Sequence, residues 1–274
     1  MSSDTTPQRS LSELGRLDGR VALITGGAGH IGRALADALA ELGSAIAIVD
    51  VARDRAQAVV DDLRRRWHVE AVAIAADLAD VDGVAALPRE AIAALGRLDI
   101  LVNNAALVGT SDLKGWAVSF DQQDIGTWRQ AIEVNLTAAF ALAQASSPHL
   151  KQGGKGSIIN VGSIYAVVGP DWRMYEGTAL GNPAAYAASK GGLLQLTRWM
   201  ATTLAPDVRV NMLSPGGMYR GQNDAFVKRY IERTPLGRMG RESDVKGAIA
   251  FLASDLSEYV TGQHLVVDGG WTAW

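Results

Sequence analysis

Val21-Ala22-Leu23-Ile24-Thr25-Gly26-Gly27-Ala28-Gly29-His30-Ile31-Gly32 runs from a short apolar stretch through glycines into a helical pattern. A brief apolar run closed by a turn signal predicts a buried strand. From Ile31 to Leu42 apolar residues recur at helical spacing, and Gly43 is placed to cap the helix end. Within that strand–turn–helix context, Gly27-x-Gly29-x-x-Gly32 reads as a dinucleotide-binding fingerprint. Glycines let the main chain approach a pyrophosphate, and a helix N-terminus offers unpaired N–H groups with a partial positive charge. Gly26, Gly27, Gly29, His30, Ile31 and Gly32 are therefore the candidate pyrophosphate cradle. A plain turn would use the same glycines, so the rest of the chain must decide.

Outward from this unit the alternation continues. Strands are predicted at 21–24, 45–49, 71–75, 98–102, 157–161, 208–212 and 265–267, and helices at 31–42, 53–67, 81–95, 127–147, 184–204 and 243–253. Strands alternating with helices imply right-handed crossovers and a parallel sheet covered on both faces. The expected fold class is α/β: a doubly wound, Rossmann-type parallel sheet of about seven strands with helices on both faces. Residues 1–16 read as a polar N-terminal tail and 17–274 as one domain, since no repeat or linker divides the chain. In such sheets ligands bind beyond the carboxyl ends of the strands. The glycine turn, Asp50, Asp77, Asn103-Asn104, Ser163 and Pro215-Gly216 each follow a predicted strand. Small polar residues also make good loops, which accounts for one or two of these placements but not for all.

Composition narrows the function classes. The 274 residues are 48% hydrophobic and 20% charged with a formal net charge of −3, a balance that offers no electrostatic case for nucleic acid or an anionic membrane. Without cysteine, disulfides and thiolate catalysis are excluded. His30, His68, His149 and His264 show no metal-binding spacing, so no metal is expected. The polar start carries Asp4 and Glu13 and lacks the apolar centre of a signal peptide. No run reaches the ~18 apolar residues of a membrane span, so a cytoplasmic location is expected.

Tyr186-Ala187-Ala188-Ser189-Lys190 places a phenol and an ammonium at i and i+4, on one helix face. A free Tyr, with a pKa near ~10, is roughly three pH units too high for a general base at neutrality. A Lys ~5 Å away at an effective dielectric of ~20 supplies about 3 kcal/mol toward closing that gap. By itself the pair is common by chance; after a dinucleotide fingerprint it marks a proton-handling Tyr beside a hydride carrier. Asp50 closes the second strand about twenty residues beyond the glycines, where a carboxylate can bind ribose hydroxyls and repel a 2′-phosphate. Gly29 and Val51 are not basic, so NAD is expected in preference to NADP, with Arg53 the residue that argues the other way.

Together these residues resemble the short-chain dehydrogenase/reductase family, in its compact single-domain branch, over residues 18–274. Asn103-Asn104-Ala105-Ala106 is similar to the family's N-N-A-G, Val134-Asn135-Leu136 to its Asn-bearing helix motif, and Ser214-Pro215-Gly216-Gly217 to its nicotinamide loop. Thr261-Gly262 and Val267-Asp268-Gly269-Gly270 are similar to its C-terminal signature. The resemblance implies a catalytic tetrad of Asn135, Ser163, Tyr186 and Lys190. Tyr186 would transfer the proton, Ser163 would bind the reacting oxygen, and Lys190 would tune the phenol and hold the nicotinamide ribose. Asn135 would anchor a relay water. It further implies that Asp77, Leu78, Asn104, Ala105, Pro215, Gly216 and Met218 join Tyr186 and Lys190 at the cofactor. The chain departs from the family pattern at several places. His30 stands where the compact branch usually has Gly, Ser163 and Tyr186 are unusually far apart, and residues 104–135 are unusually long. Arg220 stands where the nicotinamide loop often has Thr.

The loop Pro170-Asp171-Trp172-Arg173-Met174-Tyr175-Glu176-Gly177-Thr178 lies between the expected catalytic Ser and Tyr. Aromatic faces and both charge signs suit a hydroxyl-rich ligand, so Trp172, Arg173, Tyr175 and Glu176 are the candidate substrate residues; a structural or oligomer-contact loop is the alternative. Ile164-Tyr165 followed by Pro170 and then Tyr175-Glu176-Gly177-Thr178 is similar to a subgroup linked to bacterial sugar modification, including flagellin glycosylation. The expected reaction is oxidation or reduction at a secondary hydroxyl of a sugar, amino sugar or cyclitol. A generic ketoreductase acting on 3-oxoacyl carriers is the second reading, and a dinucleotide-binding sensor the non-enzyme one. The family resemblance also implies a homo-oligomer, tetramer or dimer, built in part through the Tyr186 helix.

Overall fold

The computed structural model describes residues 9–274 apart from Thr110, Ala179 and the side chain of Val81. Seven strands form one sheet: β1 Val21–Thr25, β2 Ala45–Asp50, β3 Ala71–Ala75, β4 Ile100–Asn103, β5 Gly156–Val161, β6 Val208–Pro215 and β7 His264–Val267. Their order is β3-β2-β1-β4-β5-β6-β7 and every pairing is parallel. The chain reverses its direction of travel across the sheet between β1 and β4, so the switch-point crevice opens there.

Period-two alternation sends the strands' side chains to two cores. Ala22, Ile24, Ile46 and Ile48 pack on one face with α2 (His30–Glu41), α3 (Arg53–Trp67) and the late helix Lys246–Ala253. Leu23, Ala47, Val49 and Leu101 pack on the other, against Leu87–Leu95, Ala138–Gln152 and Ala184–Leu204. Both faces are apolar, as a sheet covered on both sides requires.

Several expected boundaries move. The expected helix over 81–95 is two helices, α4 Val81–Val84 and α5 Leu87–Leu95, because Pro88 sits in a first turn and cannot continue a helix begun earlier. The expected helix over 127–147 starts sooner, at α6 Ile125–Ile132, where the Asp124 carboxylate accepts from the Thr127 N–H at 2.9 Å. It widens into a π-turn over Glu133–Thr137 and resumes as α7 Ala138–Gln152. β4 begins two residues later than expected, and β6 runs three residues further. After α8 (Ala184–Leu204), an unforeseen helix α9, Asp224–Glu232, buries Phe226 and Tyr230 and is capped by Asn223. The last predicted helix, 243–253, is a 3₁₀ turn Glu242–Val245 leading into α10, Lys246–Ala253.

The polar start is structured from Arg9 onward. Ser10 and Glu13 form a capping box on the short helix α1, Leu11–Gly15, and Arg9 joins Arg20 and Lys155 around the buried Asp255 carboxylate.

Candidate active site

At the carboxyl end of β1 the glycines are required by space. Gly26 has φ +60°, and a Cβ on Gly32 would lie 2.2 Å from the Gly26 carbonyl oxygen and 2.8 Å from Gly27 Cα. A Cβ on Gly27 would meet Ile48 at 2.9 Å. Asn104 fastens the loop after β4 to this turn: its Nδ2 donates to the carbonyls of Thr25 (2.9 Å) and Gly26 (3.0 Å). The Thr25 hydroxyl in return accepts from the backbone N–H groups of Asn104 and Ala105. A groove of about 540 Å³ runs over this seam, lined by Gly26, Gly29, His30, Ile31, Gly32 and Asp50 on one wall. Asp77, Leu78, Asn104 and Ala105 also line it, as do Gln130 and Val134 of the α6–π segment. A main chain stripped of Cβ atoms at a helix N-terminus fits a dinucleotide pyrophosphate. Asp50 is 8% exposed; its two oxygens accept from the N–H groups of Ala28 and Ala52, each at 3.1 Å.

The proton-handling group is built on α8. Pro183 precedes the helix, and its carbonyl accepts the N–H of Tyr186 at 3.0 Å. Tyr186 and Lys190 share a face as expected, with Nζ 5.8 Å from the phenol ring centre. Lys190 is buried, and its ammonium donates to the Val161 carbonyl at the end of β5 at 2.7 Å. Burial brings its pKa down to about 8. Burial also pushes the Tyr186 phenol above its ordinary value, opposed by the nearby Ser163 hydroxyl. Lys190 alone therefore does not bring the phenol into the neutral range in the free protein. Desolvation is the larger effect on the phenol.

Asn135 lies in the π-turn and is 2% exposed. Its Oδ1 accepts from the Leu107 N–H at 2.7 Å, while Nδ2 donates to the Leu107 carbonyl and to Ser189 Oγ, both at 3.1 Å. The carboxamide braces the loop after β4.

Ser163 and Tyr186 open into a cavity of about 250 Å³ whose far lining includes Pro215, Gly216 and Met218 of the loop after β6. The 171–178 loop meets it unevenly. Tyr175 lines the cavity, and its hydroxyl lies 2.6 Å from that of Tyr165. Trp172 is 56% exposed and lines only an adjoining groove. The Arg173 guanidinium faces solvent and is held by Asp171 at 2.8 Å; Arg173, with Arg233, keeps that carboxyl at about 2 against partial burial. Glu176 contributes its backbone carbonyl to Arg229 at 2.6 Å. Arg173 and Glu176 thus anchor the loop instead of reaching the cavity. The polar side chains that do line it include Tyr165, Asn182, Arg220, Gln222 and Tyr230. Of these, motif position marks only Arg220, and Tyr165 belongs to a longer stretch that carries a subgroup resemblance.

Comparison with known proteins bears on this geometry directly. A family model described as enoyl-(acyl carrier protein) reductase matches residues 26–272. The chain is 39% identical over 259 residues to cis-4-hydroxycyclohexanecarboxylate dehydrogenase of Sinomonas cyclohexanicum, covering 93% of this chain and 97% of that one. The chain belongs to the short-chain dehydrogenase/reductase family. It is 35% identical over 257 residues to the 3-oxoacyl-[acyl-carrier-protein] reductase of Staphylococcus aureus, covering 91% of this chain and 96% of the relative. Among solved structures, gluconate 5-dehydrogenase from Burkholderia cenocepacia, in complex with NADP and tartrate, superposes with a TM-score of 0.86 at 34% identity. The match covers 97% of this chain and all of the gluconate dehydrogenase chain. This short-chain dehydrogenase/reductase is a nicotinamide-dependent oxidoreductase acting on a CH–OH group.

Proposed function

We propose that this enzyme interconverts a secondary alcohol and its ketone on a cyclic, hydroxyl-bearing substrate, a sugar, amino sugar or cyclitol, using NAD(H) in preference to NADP(H). The cavity beside Ser163 and Tyr186 carries the reading. An apolar cavity of ~150 Å³ holds benzene, so about 250 Å³ leaves room for one six-membered ring beside Ser163 and Tyr186 with the cofactor's end at Pro215, Gly216 and Met218. Its wall adds the phenols of Tyr165 and Tyr175 and the Asn182 carboxamide, groups suited to a ring bearing hydroxyls. The Sinomonas relative is named for a substrate with a secondary hydroxyl on a six-carbon ring.

In the reductive direction Tyr186 donates its phenolic proton to the carbonyl oxygen, which the Ser163 hydroxyl steadies by hydrogen bonding; oxidation runs the same transfer in reverse. Gly26–Gly32, Asp50, Asp77, Leu78, Asn104 and Ala105 would hold a nicotinamide cofactor along the glycine groove, with Pro215, Gly216 and Met218 at its far end, and the cofactor would supply or accept the hydride. Lys190, cationic below about 8, favours the phenolate by about 3 kcal/mol at 5.8 Å and an effective dielectric of ~20. Asn135 keeps the Leu107 loop seated against the groove. NAD(H) is preferred because the buried Asp50 faces the ribose end, where a 2′-phosphate would meet its charge.

We further infer a cytoplasmic homo-oligomer, supported by the exposure of Phe140 on α7 and Trp199 on α8. The test of function is a panel of cyclitols, sugars and amino sugars with NAD, read by reduced-cofactor absorbance. Turnover of ring alcohols above simple linear ones supports the assignment; turnover confined to linear substrates refutes it.

A second reading has its own observation. An adjoining groove shares Tyr175, Leu180 and Asn182 with the cavity and is lined by Val118, Phe120, Pro170 and Trp172, an apolar track that suits an acyl chain. An acetoacetyl thioester assayed beside the panel decides between the two.

A further inference from the structure

Among the described residues, and leaving aside the reacting pair Ser163 and Tyr186, every polar side chain on the cavity wall has a partner in the protein except Asn182. Tyr165 and Tyr175 bond each other. Gln222 spans from the Arg220 N–H to the Met218 carbonyl, and Arg220 donates to Glu242 at 3.0 Å. The Tyr230 hydroxyl accepts from the Gly217 N–H. Asn182 is 6% exposed, and neither amide atom has a hydrogen-bond partner among the described residues. It lies near enough to the two phenols to favour their ionised forms, yet bonds neither.

A buried amide left unpaired opposes folding, because its lost hydration is not replaced. Such a group at the edge of a reaction cavity is a place where a ligand supplies the missing bonds. We infer that Asn182 is the residue that recognises a second hydroxyl of the substrate, away from the carbon that reacts. The amide presents donors and an acceptor together. A hydroxyl satisfies both at once, while a carboxylate can use only the donors. The Tyr165–Tyr175 bond uses one of its two hydroxyl protons, and the other hydroxyl proton remains available to the same ligand group. The occupant is therefore a polyol, in which the hydroxyl bound by Asn182 sets which ring alcohol reaches Tyr186.

This assignment rests on the reading of the cavity as the substrate site, and the test separates the two. Cyclohexanol is compared with 1,2-, 1,3- and 1,4-cyclohexanediol, with NAD, for the unaltered enzyme and for Asn182→Leu. The unaltered enzyme should prefer its best diol at least tenfold in kcat/KM, since a site built around a hydroxyl penalises its absence. Asn182→Leu should lower the diol value 10- to 100-fold and change the cyclohexanol value less than threefold. It should also raise Tm, because it removes an unpaired buried amide. Asn182→Ser, which keeps a hydroxyl, should retain part of the preference, and serves if the Leu variant does not fold. An unchanged diol-to-cyclohexanol ratio in an active variant overturns the assignment and leaves the proposed function standing. A fall in Tm with equal losses on both alcohols also overturns it, in favour of a structural role. No turnover of any alcohol by the unaltered enzyme overturns the reading of the cavity and this assignment with it.

Discussion

Replacing Lys190 with Met removes a charge while keeping a long apolar stem, and two opposite effects follow. Nζ is 5.8 Å from the Tyr186 ring centre; at an effective dielectric of ~20 its charge is worth about 3 kcal/mol to the phenolate, or about two pH units. In the oxidative direction the rise of kcat/KM with pH should therefore move up by about two units, and the rate on the rising limb should fall about 100-fold. Stability should move the other way. Burial lowers the Lys190 pKa from 10.5 to about 8, so between these values the unfolded chain binds more protons and stability of the unaltered enzyme climbs with pH. Below about 8 it bears the full cost, roughly 3 kcal/mol. Loss of the bond to the Val161 carbonyl returns about 1–2 kcal/mol of that. Lys190→Met should thus be about 1–2 kcal/mol more stable at pH 7, with the advantage gone above 10.5. Stopped-flow rates across pH and urea unfolding at pH 7 and 10.5 measure both. An unshifted pH profile, or a variant less stable at pH 7, refutes the reasoning.

Gly32→Ala places a Cβ 2.2 Å from the Gly26 carbonyl oxygen; calorimetry should show a loss of about 1–3 kcal/mol in stability and titration at least a tenfold loss of NAD affinity. Asp50→Ala combined with Val51→Arg should shift the kcat/KM ratio toward NADP(H) by removing a repulsion and adding a charge partner, as steady-state kinetics with both cofactors would report. Burial raises the Asp255 carboxyl, but hydrogen bonds from Lys155, Arg20 and Arg9 outweigh it and hold the carboxyl well below the usual range. Its contribution is present above pH ~4 and is lost as the pH falls further. Asp255→Ala should cost about 3 kcal/mol at pH 7, with the gap in thermal stability narrowing below pH 4.

The sheet is legible in the sequence because burial on both faces writes apolar runs of strand length, and because few structures other than a phosphate cradle need glycines at that spacing between a strand and a helix. Helix breaks are less so. Pro88 marks the start of α5, yet the apolar pattern across 81–95 continues past it, and the π-turn at Asn135 leaves the helical pattern almost unchanged. Asp50, Ser163, Tyr186 and Lys190 are readable from spacing because each is fixed by its position after a strand or along one helix face. Arg173 reads as a cavity residue in the sequence and is not one, for a local reason: Asp171, two positions away, takes its charge. Asn182 carries no motif at all. Its significance is the absence of partners, which depends on elements distant in sequence and emerges only when Tyr165, Tyr175 and Asn182 share one wall.

The most direct test of the central claim is Tyr186→Phe, assayed by single turnover with saturating NAD and the best alcohol of the panel, beside a separate titration of NAD. The phenol lines the cavity with Ser163, and its loss removes the transferable proton while sparing the glycine groove. Hydride transfer should slow by at least ~10²–10³-fold, the scale of a lost general acid–base, with NAD affinity changed less than twofold. A variant that keeps more than a tenth of the rate, with the same cofactor affinity, contradicts the assignment of Tyr186 as the group that moves the proton.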